Sequence, residues 1–304
     1  MNVTQWILPL AAWVLAPLML GIINRVKAKF AGRRGQPLLQ LYFDLFKLLR
    51  KGSVYSRSTS LVIRVAPSVS LACVILCTLL LPWGGLSAPA AFAGDIILLA
   101  YLLGLARFVT VLAALDTGSA FEGMGASREV QFGALAEPAF FLGLLVLVLQ
   151  SGTLSLSSIV SGLSAATWQS SAILLILVAF SWFVLLLTEN SRIPVDDPNT
   201  HLELTMIHEV MVLDYSGPDF AYILYGASLK LWVFAALVVN LLVPMASLPV
   251  WAQVPLFVLG IGIVAVLVGV VESILARLRL YQVPKILIGS AALSLIALIV
   301  KLMD

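Results

Sequence analysis

Apolar residues gather into eight long stretches, at about 4–24, 62–82, 93–115, 132–150, 171–189, 221–244, 254–276 and 283–302. Each is close to the twenty or so residues an α-helix needs to cross the hydrocarbon core of a bilayer. The spacers between them alternate in character. Those near 83–92, 151–170 and 245–253 carry no charge and are rich in Pro, Gly and Ser. The others hold nearly everything ionisable. The spacer 25–61 has Arg25, Lys27, Lys29, Arg33, Arg34, Lys47, Arg50, Lys51 and Arg57, while Arg128 lies in 116–131, Arg192 in 190–220, and Arg277, Arg279 and Lys285 surround the last. With eight spans all four charged spacers share one side. The positive-inside rule makes that side cytoplasmic and puts both termini outside. The pattern predicts an all-α polytopic membrane protein: one integral membrane domain over 1–304 with amphipathic helices on its cytoplasmic surface.

One such helix is predicted over 37–51. Leu38, Leu41, Leu45 and Leu48 recur every three or four residues, and Asp44, Lys47, Arg50 and Lys51 take the other side, as in a helix lying against lipid headgroups or a docked subunit. Composition agrees. The 304 residues are 61% hydrophobic and 11% charged, and mean hydropathy is +1.07, so neither a water-soluble fold nor a disordered chain is compatible with it. Cys73 and Cys77 lie four apart in an apolar run and read as small buried hydrophobes. They are too few for an iron–sulfur cluster or structural zinc. Without a phosphate loop or GxGxxG pattern, no nucleotide or nucleic-acid partner and no cofactor is expected in this chain. The first apolar run, Trp6 to Ile23, reads as a span and not as a cleavable leader.

Several ionisable residues fall at membrane depth, where each costs at least a few kcal/mol unless paired or hydrated. Arg107 lies inside the third stretch, Glu137 six residues into the fourth and next to Pro138, Lys230 ten residues into the sixth, and Glu272 near the cytoplasmic end of the seventh. Snorkelling accounts for Glu272 and Arg64 more readily than for the other three, which point to a proton or ion path. The loop of about 190–219 is unusually acidic, with Glu189 at its edge and Asp196, Asp197, Glu203, Glu209, Asp214 and Asp219 inside. Crowded carboxylates raise one another's pKa, which suits proton carriage near neutral pH. A short helix is expected over 200–213, with Leu202, Met206, Val210 and Leu213 on one face and His201, Thr205, His208 and Glu209 on another. Histidine titrates in the right range for proton exchange. His208–Glu209 does not open an HExxH zinc motif, because Val212 stands where the second His belongs; no metal site is expected.

Four stretches, GRRGQPLLQLYFDLFKLLRKGSV (32–54), ALDTGSAFEGMGASREVQFGALAEP (114–138), ENSRIPVDDPNTHLELTMIHEVMVLDYSG (189–217) and ESILARLRLYQVPK (272–285), resemble the eight-helix membrane subunit shared by respiratory complex I and the group 4 membrane-bound NiFe hydrogenases. DTGSAFEGMGASRE and ARLRL look like the hydrogenase branch, of the formate hydrogenlyase and hydrogenase-4 type. Glu189, Arg192, Pro194 and Asp196 match the E-T-N-R-x-P-F-D frame of the complex I relatives, and Glu203 matches a later Glu, whereas THLELTMIHEVMVLD departs from both branches.

The resemblance implies a subunit without its own redox centre, non-catalytic alone, in a bacterial or archaeal cytoplasmic (inner) membrane. It would link hydrogenase-like large and small iron–sulfur subunits of a peripheral arm to antiporter-like membrane subunits. Membrane lipid surrounds it, and a quinone is a further partner in the complex I branch. It places path-lining carboxylates at Glu137, Glu189, Asp196 and Glu203, and the ionisable residues read above from the sequence itself, Lys230, Glu272, Arg107, His201 and His208, complete the expected proton or sodium path. The face toward the peripheral arm would hold Arg33, Asp44, Arg128, Glu129, Arg192, Arg277 and Arg279, with Glu122 loosely matched. Convergence of Asp44, Arg128, Arg192, Asp196, Glu203 and Arg279 is expected, as is burial of Glu137. A quinone-chamber subunit is the alternative, and its mark would be a cavity between the 37–51 helix and the 190–216 loop. A stand-alone antiporter is disfavoured by the lack of an inverted repeat, and a passive anchor leaves Glu137 and Lys230 without a purpose.

Overall fold

The computed structural model describes residues 3–196 and 206–303, and every regular element among them is helical. The α-helices are α1 (Val3–Phe30), α2 (Gln40–Leu49), α3 (Leu61–Leu80), α4 (Asp95–Asp116), α5 (Ala120–Ser151), α6 (Leu156–Gly162), α7 (Ala165–Glu189), α8 (Gly217–Leu242), α9 (Val250–Ile274) and α10 (Val283–Met303). All except α2 and α6 belong to the eight segments long and apolar enough to span a membrane.

The most buried span, α8, packs against α1, α2, α3, α7 and α9. Around it α3 pairs with α4, α1 with α9, and α5 and α7 with α10. Hydrocarbon offers no hydrophobic drive between helices, so small residues and polar contacts join them. Ser181 on α7 donates to the Ser290 carbonyl at 2.9 Å, and Ser294 on α10 donates to the Ala139 carbonyl of α5 at 3.0 Å. At one end Trp83 stacks on Phe257 at 4.7 Å, and the Asn240 amide spans Gly84 N–H and the Pro82 carbonyl.

Hydrogen bonds sort the connections onto two faces. Ser60 N–H reaches Asp116 at 2.8 Å, Asp214 N–H reaches Glu122 at 3.1 Å, and Leu278 N–H reaches the Pro194 carbonyl at 2.9 Å. Val54 N–H bonds the Ser216 hydroxyl at 3.1 Å. The charged spacers therefore share one face. On the other, Ala88 N–H bonds Ser157 and Gly94 N–H bonds the Leu154 carbonyl, while the buried Asp95 carboxylate accepts from Leu156 N–H and Ser155.

Three boundaries differ from the sequence expectation. The fourth span begins at Ala120 instead of 132, giving a 32-residue helix of about 48 Å that projects beyond the bilayer core. Glu122, Arg128 and Glu129 lower the local hydropathy without interrupting helical backbone. Gly125 lets the 206–212 segment approach, since a Cβ there would lie 2.9 Å from the Ile207 carbonyl oxygen. The surface helix is Gln40–Leu49, shorter than 37–51; Leu41, Leu45 and Leu48 are half-buried, and Leu39, Phe43, Phe46 and Leu49 form a further exposed apolar stripe. The helix expected over 200–213 is, within the described residues, a single 3-10 turn at Glu209–Val212. Met206 and Val210 of its apolar face are buried and Leu213 is exposed; Leu202 and Thr205 lie outside the described residues. This segment follows its polar anchors, not its apolar period: Ile207 and His208 N–H both bond the Asp196 carboxylate at 3.2 Å.

The topology predicts opposite labelling at the two faces. A Ser161→Cys variant should react with a membrane-impermeant maleimide from the outside of intact cells, and an Arg34→Cys variant only in inverted vesicles. Buried Cys73 and Cys77 should stay silent. Labelling of residue 161 from the cytoplasm would reverse the assignment.

Candidate functional site

Four spans and two loops bring the ionisable residues of the membrane interior into a single network. Arg107, nine residues or about 14 Å from the charged end of α4, meets three carboxylates. Its Nε is 3.3 Å from Glu129 and its Nη1 3.0 Å from Glu137, both on α5, and its Nη2 bonds Glu189 at the end of α7. Lys230 of α8 reaches the second oxygen of Glu189 at 2.8 Å. The second oxygen of Glu129 is 3.1 Å from His208 Nε2, and His208 Nδ1 is 3.5 Å from Asp196, which accepts from Arg277 at 3.0 Å. The sequence Glu137, Arg107, Glu129, His208, Asp196, Arg277 thus runs from mid-membrane to the charged face. Each buried charge of this network has an opposite partner, without which burial would cost several kcal/mol.

The path residues proposed from sequence divide accordingly. Arg107, Glu137, Glu189, Asp196, Lys230 and His208 fall in this network, whereas His201 and Glu203 lie outside the described residues. Glu272 does not join it. Fully buried, it takes Lys27 at 2.8 Å and Arg192 at 3.4 Å and ties α1, α9 and the start of the loop together. Gly269, one turn earlier on α9, lets α1 approach closely enough for this clamp. Glu137 overturns the expectation of burial: 54% of its side chain is exposed, because it points outward between α4 and α5.

Among the residues expected at the peripheral-arm face, Arg33 and Arg279 are exposed. Arg192 and Glu129 are instead buried, the first against Glu272 and the second inside the network. Hydropathy places both near the surface, but their loop and helix turn them inward toward partners distant in sequence. Burial pulls the Arg192 pKa below the ordinary arginine value, with Glu272 opposing. Arg128 donates to the Met206 carbonyl at 2.8 Å, Asp44 accepts the Gln40 amide, and Arg277 holds Asp196. Among the described residues the side chains of Asp44, Arg128, Arg192 and Asp196 meet separate partners near one face, while Asp196 N–H bonds the Arg192 carbonyl at 3.2 Å. Lys27 and Gly133 escaped the sequence reading. Lys27 sat among many cytoplasmic cations, whereas Gly133, four residues before Glu137 on the same helix face, carried a usable signal.

Two cavities flank the network. The larger, about 630 Å³, runs from Gln40 and Asp44 of the surface helix past Arg192, His208 and Tyr222 to Lys230. The second, about 530 Å³, opens sideways between α4 and α5 and is lined by Tyr101, Phe108, Glu137 and Phe141.

Burial alone would lower the His208 pKa, but the Glu129 charge and Asp196 outweigh it and push it up to about 10. Burial works against the ionised Asp196, yet the adjacent imidazolium and Arg277 hold its carboxyl below the usual range. The loop is therefore locked to the membrane helices by a charged histidine.

Comparison with known proteins gives a consistent result. The NADH dehydrogenase family profile matches residues 2–302. The chain is 34% identical over 294 residues to formate hydrogenlyase subunit 4 of Escherichia coli (strain K12), covering 91% of each chain. It is 34% identical over 275 residues to hydrogenase-4 component C of the same organism, covering 88% of this chain and 85% of that one. The fold matches a chain of the membrane-bound sulfane sulfur reductase, an archaeal respiratory membrane complex, with a TM-score of 0.82, 19% identity and 98% coverage of each.

A raised folded-state pKa at His208 stabilises the protein fully below the unfolded value of 6.5, and this stabilisation fades as pH rises through about 10. In detergent, the thermal midpoint should fall across that window by an amount that His208→Gln removes, on the order of 2–4 °C. Parallel pH profiles for parent and variant would refute the charged-histidine lock.

Proposed function

The chain belongs to the NADH dehydrogenase family, and from that premise we propose that it is the ion-coupling membrane subunit of an energy-converting, hydrogenase-type oxidoreductase in a prokaryotic cytoplasmic membrane. Membership, eight spans and similarity to hydrogenase membrane subunits make it a multi-pass membrane subunit. The finer reading joins a peripheral electron-transfer arm, with its large and small iron–sulfur subunits, to antiporter-like membrane partners. The observation that carries it is the continuous run of ionisable side chains from Asp196 at the charged face to Glu137 on the outer side of α5. Carboxylates and histidine are groups through which protons move inside a membrane, and here Glu129, His208 and Asp196 stand 3.1–3.5 Å apart as ion pairs. Glu137 gives the path an exit: a carboxylate half exposed at that depth is unstable against lipid, so a partner subunit covers it. Arg33, Arg279 and the exposed Phe43 and Phe46 stripe offer the opposite face to the peripheral arm.

A second reading, a quinone-chamber subunit, is favoured by the larger cavity. It lies between the surface helix and residues 190–192 and 206–215, and 630 Å³ falls within the range of small-molecule sites. Reduction of a short-chain quinone by the purified complex, abolished when Tyr222→Trp fills the cavity, would select this reading. Absence of quinone reduction in an active complex would remove it.

The path itself is tested by Glu137→Gln, which keeps shape and hydrogen bonding but cannot exchange a proton. The complex should assemble and transfer electrons to soluble acceptors while losing ion translocation in vesicles. Undiminished translocation would make Glu137 a structural charge only.

A further inference from the structure

We propose that the Arg107–Glu189 ion pair is a gate between the two cavities, that Arg107 opens it by turning onto Glu137, and that Gly133 is the position that admits this movement. The proposal rests on the ion-coupling reading and adds to it the point at which the path is held shut. The carrying observation is geometric: among the described residues, Arg107 and Glu189 alone line both cavities. Each cavity is many times the roughly 30 Å³ share of one water molecule. Any proton or cation passing from His208 and Glu129 to Glu137 must therefore pass the guanidinium. A fixed positive charge at a constriction of low dielectric is an effective barrier to cations and protons.

The same geometry allows the barrier to move. Arg107 has one charge for three carboxylates, and its Nη1 already touches Glu137. Glu189 is held independently by Lys230 at 2.8 Å, so it keeps a counter-charge when Arg107 leaves. Arg107 Nε is buried without an aligned hydrogen-bond acceptor, leaving the guanidinium anchored through its two terminal nitrogens. The space it occupies exists because residue 133 is glycine: a Cβ there would lie 2.9 Å from the Arg107 Cζ. Closed, the fork bridges Glu189 and Glu137. Open, it lies against Glu137 in the lateral cavity, and the two cavities join beside Lys230.

The test uses the whole complex, purified through this chain and reconstituted in vesicles without redox substrates. Decay of an imposed pH gradient is followed with a trapped pH-sensitive dye. Arg107→Gln combined with Glu189→Gln removes both charges, and the volume lost at residue 107 is matched by the Arg107→Lys control. It should speed decay about tenfold, a barrier change of about 1.4 kcal/mol. Arg107→Lys keeps the charge and should decay at the parent rate. An assembled double variant that holds the gradient as the parent does overturns the gate, as does Arg107→Lys leaking equally fast. Where the double variant fails to assemble, Gly133→Ala carries the decision: a methyl group there meets Arg107 Nη1, the nitrogen that turns onto Glu137, so the gate should stay shut and translocation with redox substrates supplied should fall about tenfold, whereas parent-rate translocation by the assembled variant overturns the gate. A tight double variant, with Glu137→Gln still deficient in translocation, removes the gate and leaves the path. Normal translocation by Glu137→Gln removes the coupling reading itself.

Discussion

Opposite charges buried within the membrane must neutralise one another, and the arrangement around Arg107 shows how far this requirement shapes the chain. Its guanidinium draws α5 and the end of α7 onto α4, and Lys230 adds α8 through the shared Glu189. Removing one partner of a buried pair such as Arg107–Glu189 leaves an uncompensated charge at membrane depth, typically a loss of about 3–5 kcal/mol. The helices are therefore held in one relative rotation by a polar constraint, whereas their apolar surfaces would pack against lipid almost equally well in several.

The same constraint extends into the loop that follows α7. Asp196 organises it by accepting two backbone N–H groups while pairing with Arg277 and His208. His208 then carries a charge back to Glu129. The 206–216 segment is latched from the opposite side, where Val54 N–H meets the Ser216 hydroxyl and Gly217, with φ of 57°, lies against the Gly52 carbonyl. A Cβ at residue 217 would come within 2.6 Å of that oxygen, so both the left-handed backbone and the close approach require glycine. A loop fixed at both ends in this way can transmit displacement at the charged face to the carboxylates inside.

Clamp and network divide the charges between support and transport. Glu272 is fully buried between Lys27 and Arg192, and this clamp is remote from the lateral opening. Arg107, Glu129, Glu189 and Glu137 border cavities and share partners, which makes their pairings exchangeable. Glu137 is distinguished further by its exposure: on the outer side of a span it completes its environment only when a neighbouring membrane subunit is in place.

The amino-acid sequence by itself determined the class of protein, the number of spans, their relative sidedness and the identity of most charges at depth. These follow from hydropathy and charge, which are local properties that the bilayer reads one segment at a time. Arg107, Glu137 and Lys230 are legible because a charge in an apolar run is anomalous without any structure. Pairing was not legible, since it depends on which helix faces meet. Glu129 and Arg192 read as surface residues and are buried, Glu272 read as part of a path and closes a clamp, and Glu137 read as buried and faces outward. A helix continues where hydropathy ends, as α5 does from Ala120, because backbone hydrogen bonding is indifferent to the charge of the side chains it carries. Only the tertiary structure decided which carboxylates share Arg107 and that two cavities meet there, because both depend on distances between residues far apart along the chain.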